Sequence, residues 1–332
     1  MNKKISYVAT KIVDCFFLLR ITLLAPVWTI LLVGWITGNK NARPFAWFSS
    51  PSNTGTHPLY LWIALAGFSL IVASIYVVNQ IVDIESDRIN HKLFLLPHGY
   101  LSVRTAWVLA GLCMAGGMTS AFFFDWPMAV LYGAGLLLGI FYNLPPLKLK
   151  NRAWGGVIAN ILGHGVLTFI VGWYSAHFPN AHGFEIIKNG LVSSLSPGMA
   201  NAAVFLATTI PDATGDRMTD KKTFCVTYGE KRTALAATCF CTFSLVLSFF
   251  MTHNFWVMAL PALVSVVLFI TLAAATNKKA AFHAFKWPVF LLTVFVMLFI
   301  PQYGVLIVLT FFGSRLYYQW RFGIMYPTFQ TK

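Results

Sequence analysis

Long apolar stretches recur along the whole sequence, and they constrain the fold more than any other feature. Nine of them approach the ~20 residues that a helix needs to span a membrane. They lie at about residues 17–37, 57–83, 101–124, 126–142, 153–175, 190–212, 232–252, 255–276 and 287–313. Because they are continuously apolar and do not alternate with period two, they predict helices and exclude a β-barrel. The sequence therefore predicts an all-α integral membrane protein of nine transmembrane helices, in a single transmembrane domain over residues 1–332.

Composition supports this class, because 58% of the residues are hydrophobic and only 10% are charged. A soluble domain needs a more polar surface, and a disordered chain needs low hydrophobicity with high charge. A net charge of +14 would suggest nucleic acid in a soluble protein, but here the basic residues lie between apolar spans. Orientation in the bilayer and contact with anionic lipid explain them better. We therefore expect a lipid bilayer as partner and no nucleic acid.

Lys and Arg are distributed unevenly between alternate connections. Seventeen of the 24 fall in one set, namely Lys3, Lys4, Lys11, Arg88, Lys92, Arg104, Lys148, Lys150, Arg152, Arg217, Lys221, Lys222, Lys231, Arg232, Lys278, Lys279 and Lys286. The opposite set, with the C-terminal tail, holds Lys40, Arg43, Lys188, Arg315, Arg321 and Lys332. Because positive charge favours the cytoplasmic side, the pattern predicts a plasma-membrane protein with its N-terminus in the cytoplasm and its C-terminus outside.

The ten acidic residues are clustered, and this clustering indicates a function. Seven lie in two segments that close the second and sixth spans on the predicted cytoplasmic side, and each segment contains D-x-x-x-D. The candidate metal ligands are Asn79, Asp83, Asp87, Asp212 and Asp216, of which the four aspartates are the candidate catalytic residues. Residues four apart share one helical face, where like charges repel unless a cation lies between them. Hard oxygen ligands suit Mg²⁺, which bridges carboxylates to substrate phosphates.

The two motifs recur four spans apart, at the same end of their spans. This placement predicts two pseudo-repeated four-helix units whose acidic ends face each other. The alternative is that the acidic segments are solvated loops. A single motif would leave that alternative open, whereas two copies favour a metal site.

Basic side chains near the acidic segments could neutralise an anion. They are Arg88, Lys148, Lys150, Arg217, Lys221 and Lys222. A diphosphate would use both kinds of charge, since a metal held by aspartates binds its oxygens on one side while Lys and Arg neutralise the rest. Each basic residue taken singly is also explained as a determinant of topology.

These motifs resemble those of the UbiA superfamily of intramembrane prenyltransferases. Its N-x-x-x-D-x-x-x-D motif is similar to the segment that begins at Asn79, and its D-x-x-G-D-R motif with a Lys-Thr resembles Asp212, Gly215, Asp216, Arg217, Lys222 and Thr223. Its Y-x-x-P-P-x-K-x-K loop resembles Tyr142, Pro145, Pro146, Lys148 and Lys150. Residues Pro97, Gly99 and Ser102 match the stretch after the first motif.

The resemblance implies a ring of nine helices around a membrane-level cavity that opens at the cytoplasmic face. It implies Mg²⁺-dependent transfer of a polyprenyl group from an allylic prenyl diphosphate to an aromatic or lipid acceptor, as in lipoquinone or isoprenoid lipid biosynthesis. The implied diphosphate ligands are Arg20, Arg88, Tyr142, Lys148, Arg217 and Lys222. For Arg20, near the cytoplasmic end of the first span, snorkelling to lipid headgroups is an equal alternative. A chlorophyllide, heme, carotenoid or glycerol-phosphate lipid acceptor also stays open.

Two positions depart from the family pattern. Many members have Asp after the leading Asn, where this chain has Gln80, and many have Arg-Pro where this chain reads Phe94-Leu95-Leu96. The first departure removes a metal ligand that those members have, and the second removes a diphosphate contact. Both weaken the assignment of a subfamily.

Two other protein classes share parts of the pattern. A secondary transporter also has duplicated units, but it places polar groups near the bilayer midplane, whereas these aspartates lie at one membrane face. A CDP-alcohol phosphotransferase needs one dense D-G-x-x-A-R cluster, which the sequence lacks. Within the spans, Asn160, His164 and Asn201 could hold the acceptor, although hydrogen bonds between packed helices are the favoured interpretation.

Overall fold

Helices make up nearly all of the described chain. The structure is a computed structural model that describes residues 2–45, 58–89 and 95–327. Its α-helices are α1 (Asn2–Leu18), α2 (Ile21–Gly38), α3 (Pro58–Val82), α4 (Ile84–Ile89), α5 (Val103–Ser120), α6 (Trp126–Asn143), α7 (Ala153–Asn160), α8 (Thr168–His177), α9 (Phe184–Met218), α10 (Phe224–Tyr228), α11 (Glu230–Ser248), α12 (Trp256–Ala275), α13 (Lys278–Phe299) and α14 (Pro301–Phe322). No β-strand occurs in these ranges, which confirms the all-α prediction.

Eight helical segments in the described ranges are long and apolar enough to cross a membrane. They are Ile21–Gly38, Leu59–Val82, Val103–Phe123, Trp126–Asn143, Ala153–His177, Phe184–Met218, Trp256–Ala275 and Lys278–Phe299. An integral membrane protein is therefore confirmed, whereas the count of nine spans is not. The predicted span 232–252 corresponds to α11, which packs against α9 and α12 but carries charges in its first turn.

The last predicted span, residues 287–313, is wrong because the chain breaks inside it. Ile300 has non-helical backbone angles (φ −132°, ψ 82°), and α13 and α14 are separate helices on either side of it. Pro301 opens α14, a position where its missing N–H and fixed φ suit a helix start. The described chain therefore has one more long helix than the sequence predicted in this region.

The fifth span changes its helix type near the centre. α7 continues into a π-helical segment, Ile161–Leu167, and then into α8. Thr168 Oγ1 donates to the carbonyl oxygen of Gly163, five residues earlier, at 2.8 Å. Short π-helical segments are frequent at functional sites, and this one lines the central cavity described below.

α2 and α8 approach each other closely because each contributes a glycine to the contact. A Cβ atom on Gly172 would lie 1.8 Å from the Leu31 carbonyl oxygen, and one on Gly34 would lie 2.0 Å from the Phe169 carbonyl oxygen. Small residues allow such contacts in membranes, where van der Waals packing holds helices together. The contact places α2 in the largest buried apolar cluster of the described chain, beside α3.

α14 runs back along the bundle towards α1. Near its start, the Tyr303 hydroxyl lies 2.7 Å from Thr29 Oγ1, in the middle of α2. Near its end, the Tyr317 ring stacks on Phe17 of α1 with the centroids 3.8 Å apart. We define the acidic end as the end of the bundle where α3 and α9 finish with the two D-x-x-x-D motifs. The last residues of α1 lie beside it.

The predicted placement of the two chain ends on opposite sides of the membrane therefore needs correction. The break at Ile300 adds a helix, and this helix brings Arg321 to the acidic end, where it contacts Asp14 of α1. Both α1 and the described end of the chain thus lie at that end. Arg321, which the sequence analysis assigned to the opposite side, joins the basic residues of the acidic end.

Cysteine labelling tests the direction of α14. In a background without the native cysteines, Thr214→Cys and Met325→Cys are expected to react with an impermeant maleimide from the same side of oriented vesicles. Thr214 is an exposed residue of the second acidic motif, and Met325 follows α14. Asn180→Cys, between α8 and α9, is expected to react only from the opposite side. Labelling of Met325→Cys together with Asn180→Cys would contradict the return of α14.

Candidate active site

The first acidic motif lies where α3 ends. Helical hydrogen bonds continue past Val82, since the Asp83 amide donates to the Asn79 carbonyl at 3.0 Å and the Asp87 amide donates to the Asp83 carbonyl at 2.8 Å. The three motif residues therefore share one face, as their spacing predicts. The Asn79 side-chain nitrogen donates to Asp83 Oδ2 (3.1 Å) and to Asn143 Oδ1 (2.7 Å), so its amide oxygen is the atom suited to a metal.

Two lysines bind the Asp83 carboxylate. Lys150 Nζ lies 2.8 Å from Oδ2, and Lys221 Nζ lies 3.5 Å from Oδ1. Burial alone would raise the pKa of Asp83, but the ammonium groups outweigh it and hold this pKa below its usual range. Asp83 is therefore ionised at neutral pH, and a cation that binds it must displace or share these lysines.

The second acidic motif lies at the end of α9. Asp212 is exposed and Asp216 is half-buried. Thr223 Oγ1 donates to Asp216 Oδ2 at 3.1 Å, and the Lys221 amide donates to the Asp216 carbonyl at 2.9 Å. These bonds fold the following loop back against α9 and bring Lys221 within reach of Asp83. Lys221 therefore connects the two acidic motifs.

The loop between α6 and α7 lies close to both motifs. Lys150 of this loop pairs with Asp83, and Tyr142 lies in the last turn of α6. A backbone bridge between Arg152 and Lys222 joins this loop to the segment after the second motif. The three separate sequence motifs thus meet at one end of the bundle.

Two of the other predicted diphosphate ligands have opposite surroundings. Arg20 lines the central cavity, and its Nη2 atom lies 3.9 Å from Asp87 Oδ2. Arg88 instead pairs with Glu85 at 2.8 Å and donates to the Pro97 carbonyl at 3.2 and 3.3 Å. Arg20 is therefore directed at the first motif, whereas Arg88 is engaged by its own helix and the following loop.

Three predicted ligands lie around the acidic end without binding its carboxylates. Lys148 is half-buried, while Arg217 and Lys222 are exposed. None of the three forms an ion pair within the described ranges. Lys148 and Lys222 are the predicted diphosphate ligands, whereas the structure places their neighbours Lys150 and Lys221 on Asp83.

A central cavity of about 240 Å³ adjoins the first motif. Polar side chains at the end nearest this motif are Arg20, Asn79, Tyr142 and Asn143. The walls are mainly apolar, with Phe68, Ile71, Val72, Ile75, Leu138 and Leu167. A pocket of this composition suits a ligand with a charged head and an apolar chain.

The polar residues noted within the spans do not form one site. Asn160 lines the central cavity and donates to the Gly156 carbonyl of its own helix at 2.9 Å. His164 also lines it, with its ring centroid 6.2 Å from that of Tyr76. Asn201 lines a separate cavity of about 60 Å³. Asn160 and His164 therefore face one cavity, and Asn201 faces another.

The oxygen ligands of the two motifs fit magnesium in their chemistry. The described residues contain no group of three or more His, Cys, Asp or Glu side chains close enough to hold a metal alone. Mg²⁺ does not need one, because it keeps several waters and binds through one or two carboxylates plus substrate phosphates. Asn79, Asp83 and Asp87 on one side and Asp212 and Asp216 on the other supply such ligands.

Fold and site together define an integral membrane helical bundle with two acidic motifs at one end, where the first motif adjoins an apolar cavity. A family model described as the UbiA prenyltransferase family matches residues 42–294. The chain therefore belongs to the UbiA prenyltransferase family.

Relatives of this chain include prenyl-transferring enzymes of plants and bacteria. The "Probable homogentisate phytyltransferase 2, chloroplastic" of Oryza sativa subsp. japonica is 32% identical over 184 residues, which are 52% of this chain and 48% of that protein. The "Bacteriochlorophyll synthase 34 kDa chain" of Chloroflexus aurantiacus is 27% identical over 152 residues, 46% of each chain. The matched part thus spans about half the length of these relatives.

Solved structures of UbiA homologs have the same fold. The homolog from Archaeoglobus fulgidus bound to DMAPP and Mg²⁺ superposes with a TM-score of 0.62 at 16% identity, covering 90% of this chain and 98% of that one. The apo homolog from Aeropyrum pernix K1 gives 0.65 at 14% identity, covering 87% and 98%. The likeness therefore extends over nearly the whole bundle.

Proposed function

We propose that the protein is a Mg²⁺-dependent prenyltransferase that moves a polyprenyl group from an allylic prenyl diphosphate to an aromatic or lipid acceptor. One observation carries the proposal: Lys221, which follows the second acidic motif, pairs with Asp83 of the first, and the first motif adjoins the polar end of an apolar cavity. The polar end suits a diphosphate, and the cavity suits its chain. The name of the rice relative supports an aromatic acceptor.

The proposed diphosphate site is built from both motifs. Its metal ligands are Asn79, Asp83, Asp87, Asp212 and Asp216. When bound, Mg²⁺ would neutralise the diphosphate as a leaving group. Lys150 and Lys221, which neutralise Asp83 in the absence of substrate, would then move to the phosphate oxygens. This exchange keeps the site's charge balanced in both states.

Further diphosphate contacts are proposed for side chains around the same end, namely Arg20, Tyr142, Lys148, Arg217 and Lys222. Arg20 and Tyr142 are best supported, since both line the cavity beside the first motif. Arg88 would have to leave Glu85 and the Pro97 carbonyl before it could join them. Tyr142 lines the cavity with Asn79, and its hydroxyl would donate its hydrogen to a phosphate oxygen.

The transfer itself needs stabilisation of opposite charges. The C–O bond of the allylic diphosphate breaks to give diphosphate and a delocalised carbocation, an acceptor nucleophile bonds to the cation, and the acceptor loses a proton. Aromatic faces stabilise a cation, and Phe68, Tyr76 and Tyr142 line the cavity. The apolar walls would keep out water, which otherwise quenches the cation.

The second candidate function is prenylation of a different acceptor by the same chemistry. A chlorophyllide-type acceptor is favoured by the name of the Chloroflexus relative. Heme, carotenoid and glycerol-phosphate lipid acceptors would need the same donor site. A secondary transporter has less support, because the paired aspartates lie at one end of the bundle. From the distribution of basic residues, we propose that the protein lies in the plasma membrane with its acidic end at the cytoplasmic face.

A transfer assay with purified protein tests the function. With geranylgeranyl diphosphate as donor and Mg²⁺ present, we expect product with one acceptor from a panel of hydroxybenzoate, dihydroxynaphthoate, homogentisate, chlorophyllide, heme, carotenoid and glycerol-phosphate lipid. EDTA should abolish transfer and added Mg²⁺ should restore it, because the leaving diphosphate needs the metal. Transfer that persists in EDTA would contradict the proposal. It would also be contradicted if no diphosphate were released with any of these acceptors and prenyl diphosphates of any chain length.

A further inference from the structure

α1 and α14 lie outside residues 42–294, the part of the chain that matches the family model. They contact each other through a group that we name the clasp: Asp14 and Phe17 of α1, and Tyr317 and Arg321 of α14. Phe17 and Tyr317 stack with their planes 4° apart. The clasp lies at the acidic end, close to the first motif.

Asp14 makes the clasp specific, because its carboxylate is completely buried. Its Oδ1 atom accepts hydrogen bonds from the Tyr317 hydroxyl (2.7 Å) and Arg321 Nε (3.1 Å), and Oδ2 accepts one from Arg321 Nη2 (3.3 Å). A buried carboxylate is tolerated only when it is paired and hydrogen-bonded in this way. The arrangement therefore fixes one position of α1 against α14.

The end of α1 is held a second time, by α3. Gln80 Nε2 donates to the Leu18 carbonyl at 2.7 Å, and Gln80 is buried. Many family members carry Asp at the position of Gln80. In this chain, the side chain at that position anchors α1. Gln80 directly follows Asn79, and the anchor therefore ties α1 to the first motif itself.

Arg20 follows this anchor and turns the chain from α1 into α2. Its backbone is left-handed (φ 55°, ψ 49°), a conformation that non-glycine residues rarely adopt. Its side chain lines the cavity beside Asp87, and its buried Nε has no hydrogen-bond partner within the described part of the chain. Buried donors in folded proteins are nearly always paired, so an anion at the cavity end would complete this one.

We propose that the clasp and Gln80 position Arg20 to bind a phosphate oxygen of the prenyl donor. The inference rests on the proposed function. Asp14, Gln80, Tyr317 and Arg321 are then positioning residues that act through Arg20. Helix α14 thereby becomes part of the donor site, although it contributes no side chain to the motifs.

Steady-state kinetics of clasp variants tests the proposal. Asp14→Asn, Tyr317→Phe and Arg321→Lys are expected to raise the donor KM about tenfold, the effect of losing one charged hydrogen bond, with the acceptor KM unchanged. Tyr317→Phe removes only a hydroxyl and serves if Asp14→Asn does not fold. Arg315→Ala is the matched control, because this exposed arginine of α14 contacts Met325 and no residue of the clasp.

The Arg20→Ala background separates positioning from a purely structural role. If the clasp acts through Arg20, Tyr317→Phe should change the donor KM less than about twofold in that background, because coupled residues are non-additive. An equal rise in both backgrounds would overturn the proposal, as would a donor KM like that of wild type in all three clasp variants.

If wild type transfers no prenyl group, the proposed function fails. Binding of inorganic diphosphate with Mg²⁺ then still tests the clasp, with weaker binding by Tyr317→Phe expected and unchanged binding contradicting it.

Discussion

Replacing Asp83 with Asn is expected to reduce kcat/KM for prenyl transfer on the order of a hundredfold, which corresponds to about 2.7 kcal/mol of transition-state stabilisation. Asn preserves the size of the side chain and its hydrogen bond from Asn79, but it removes the charge that Lys150 and Lys221 neutralise. The loss should appear at saturating Mg²⁺ and acceptor, because the Mg²⁺ that holds the diphosphate loses a charged protein ligand. Purified variant and wild type are compared by product formation.

Asp220→Asn is the matched control for this substitution. It removes the same charge from the exposed loop after α9, and Asp220 is not among the proposed ligands. Its left-handed backbone (φ 57°) suits Asn as well as Asp, so folding should be unaffected. Asp83→Asn turnover within about twofold of wild type, well under 1 kcal/mol, would show that Asp83 does not hold the reacting diphosphate.

Replacing Lys150 with Met is expected to change metal and donor binding in opposite directions. Without diphosphate, Mg²⁺ should bind more tightly than to wild type, since an ammonium group no longer competes for Asp83. With Mg²⁺ present, the donor KM should rise about tenfold, since one cation for the phosphate oxygens is lost. Calorimetric titration of Mg²⁺ into detergent-solubilised protein and donor-dependent kinetics measure the two effects.

Lys231→Met is the matched control for Lys150→Met, because Lys231 is an exposed lysine in the first turn of α11. It should leave both measurements unchanged. Weaker Mg²⁺ binding by Lys150→Met without diphosphate would contradict an exchange of the lysines between carboxylate and phosphate. A fold defect would appear as a lower midpoint of thermal unfolding and is checked in the same samples.

The spacing of the motif residues was sufficient to predict that they share one helical face. The four-residue intervals of Asn79, Asp83 and Asp87 predict one helical face, and the backbone bonds preserve that face even though α3 ends at Val82. The meeting of the two motifs was also predictable, because both close a span on the same side of the membrane. Local helical geometry and the alternation of spans carry this information directly.

The end of α13 was not predictable in the same way. Pro288 lies inside α13 without ending it, and Pro197 and Pro211 lie inside α9. Pro301, in an equally apolar context, opens a new helix. Neighbouring helices in a bundle can satisfy the backbone groups that a proline frees, so a proline in a membrane span does not by itself predict a break. The contacts of α14 with α1 and α2 determine that the chain breaks between α13 and α14.

The choice between neighbouring lysines also lay beyond the sequence. Lys148 precedes a short 3-10 turn and Lys150 lies within it, and Lys148 itself has a left-handed backbone (φ 39°). Residues in such a turn follow no fixed side-chain period, so spacing does not tell which ammonium group reaches Asp83. Gln80 gave a similar ambiguity: its identity excluded a carboxylate ligand, but only the fold reveals the Leu18 carbonyl that it binds.

The coupling between Asp83→Asn and Asp216→Asn tests most directly whether the two acidic motifs hold one metal–diphosphate assembly. Asp216→Asn can still accept the hydrogen bond from Thr223, so it isolates the charge of the second motif. We predict that kcat/KM of the double variant falls far less than the product of the two single losses, because residues acting as one unit are non-additive. A double loss equal to that product would show that the motifs act independently and would contradict the account.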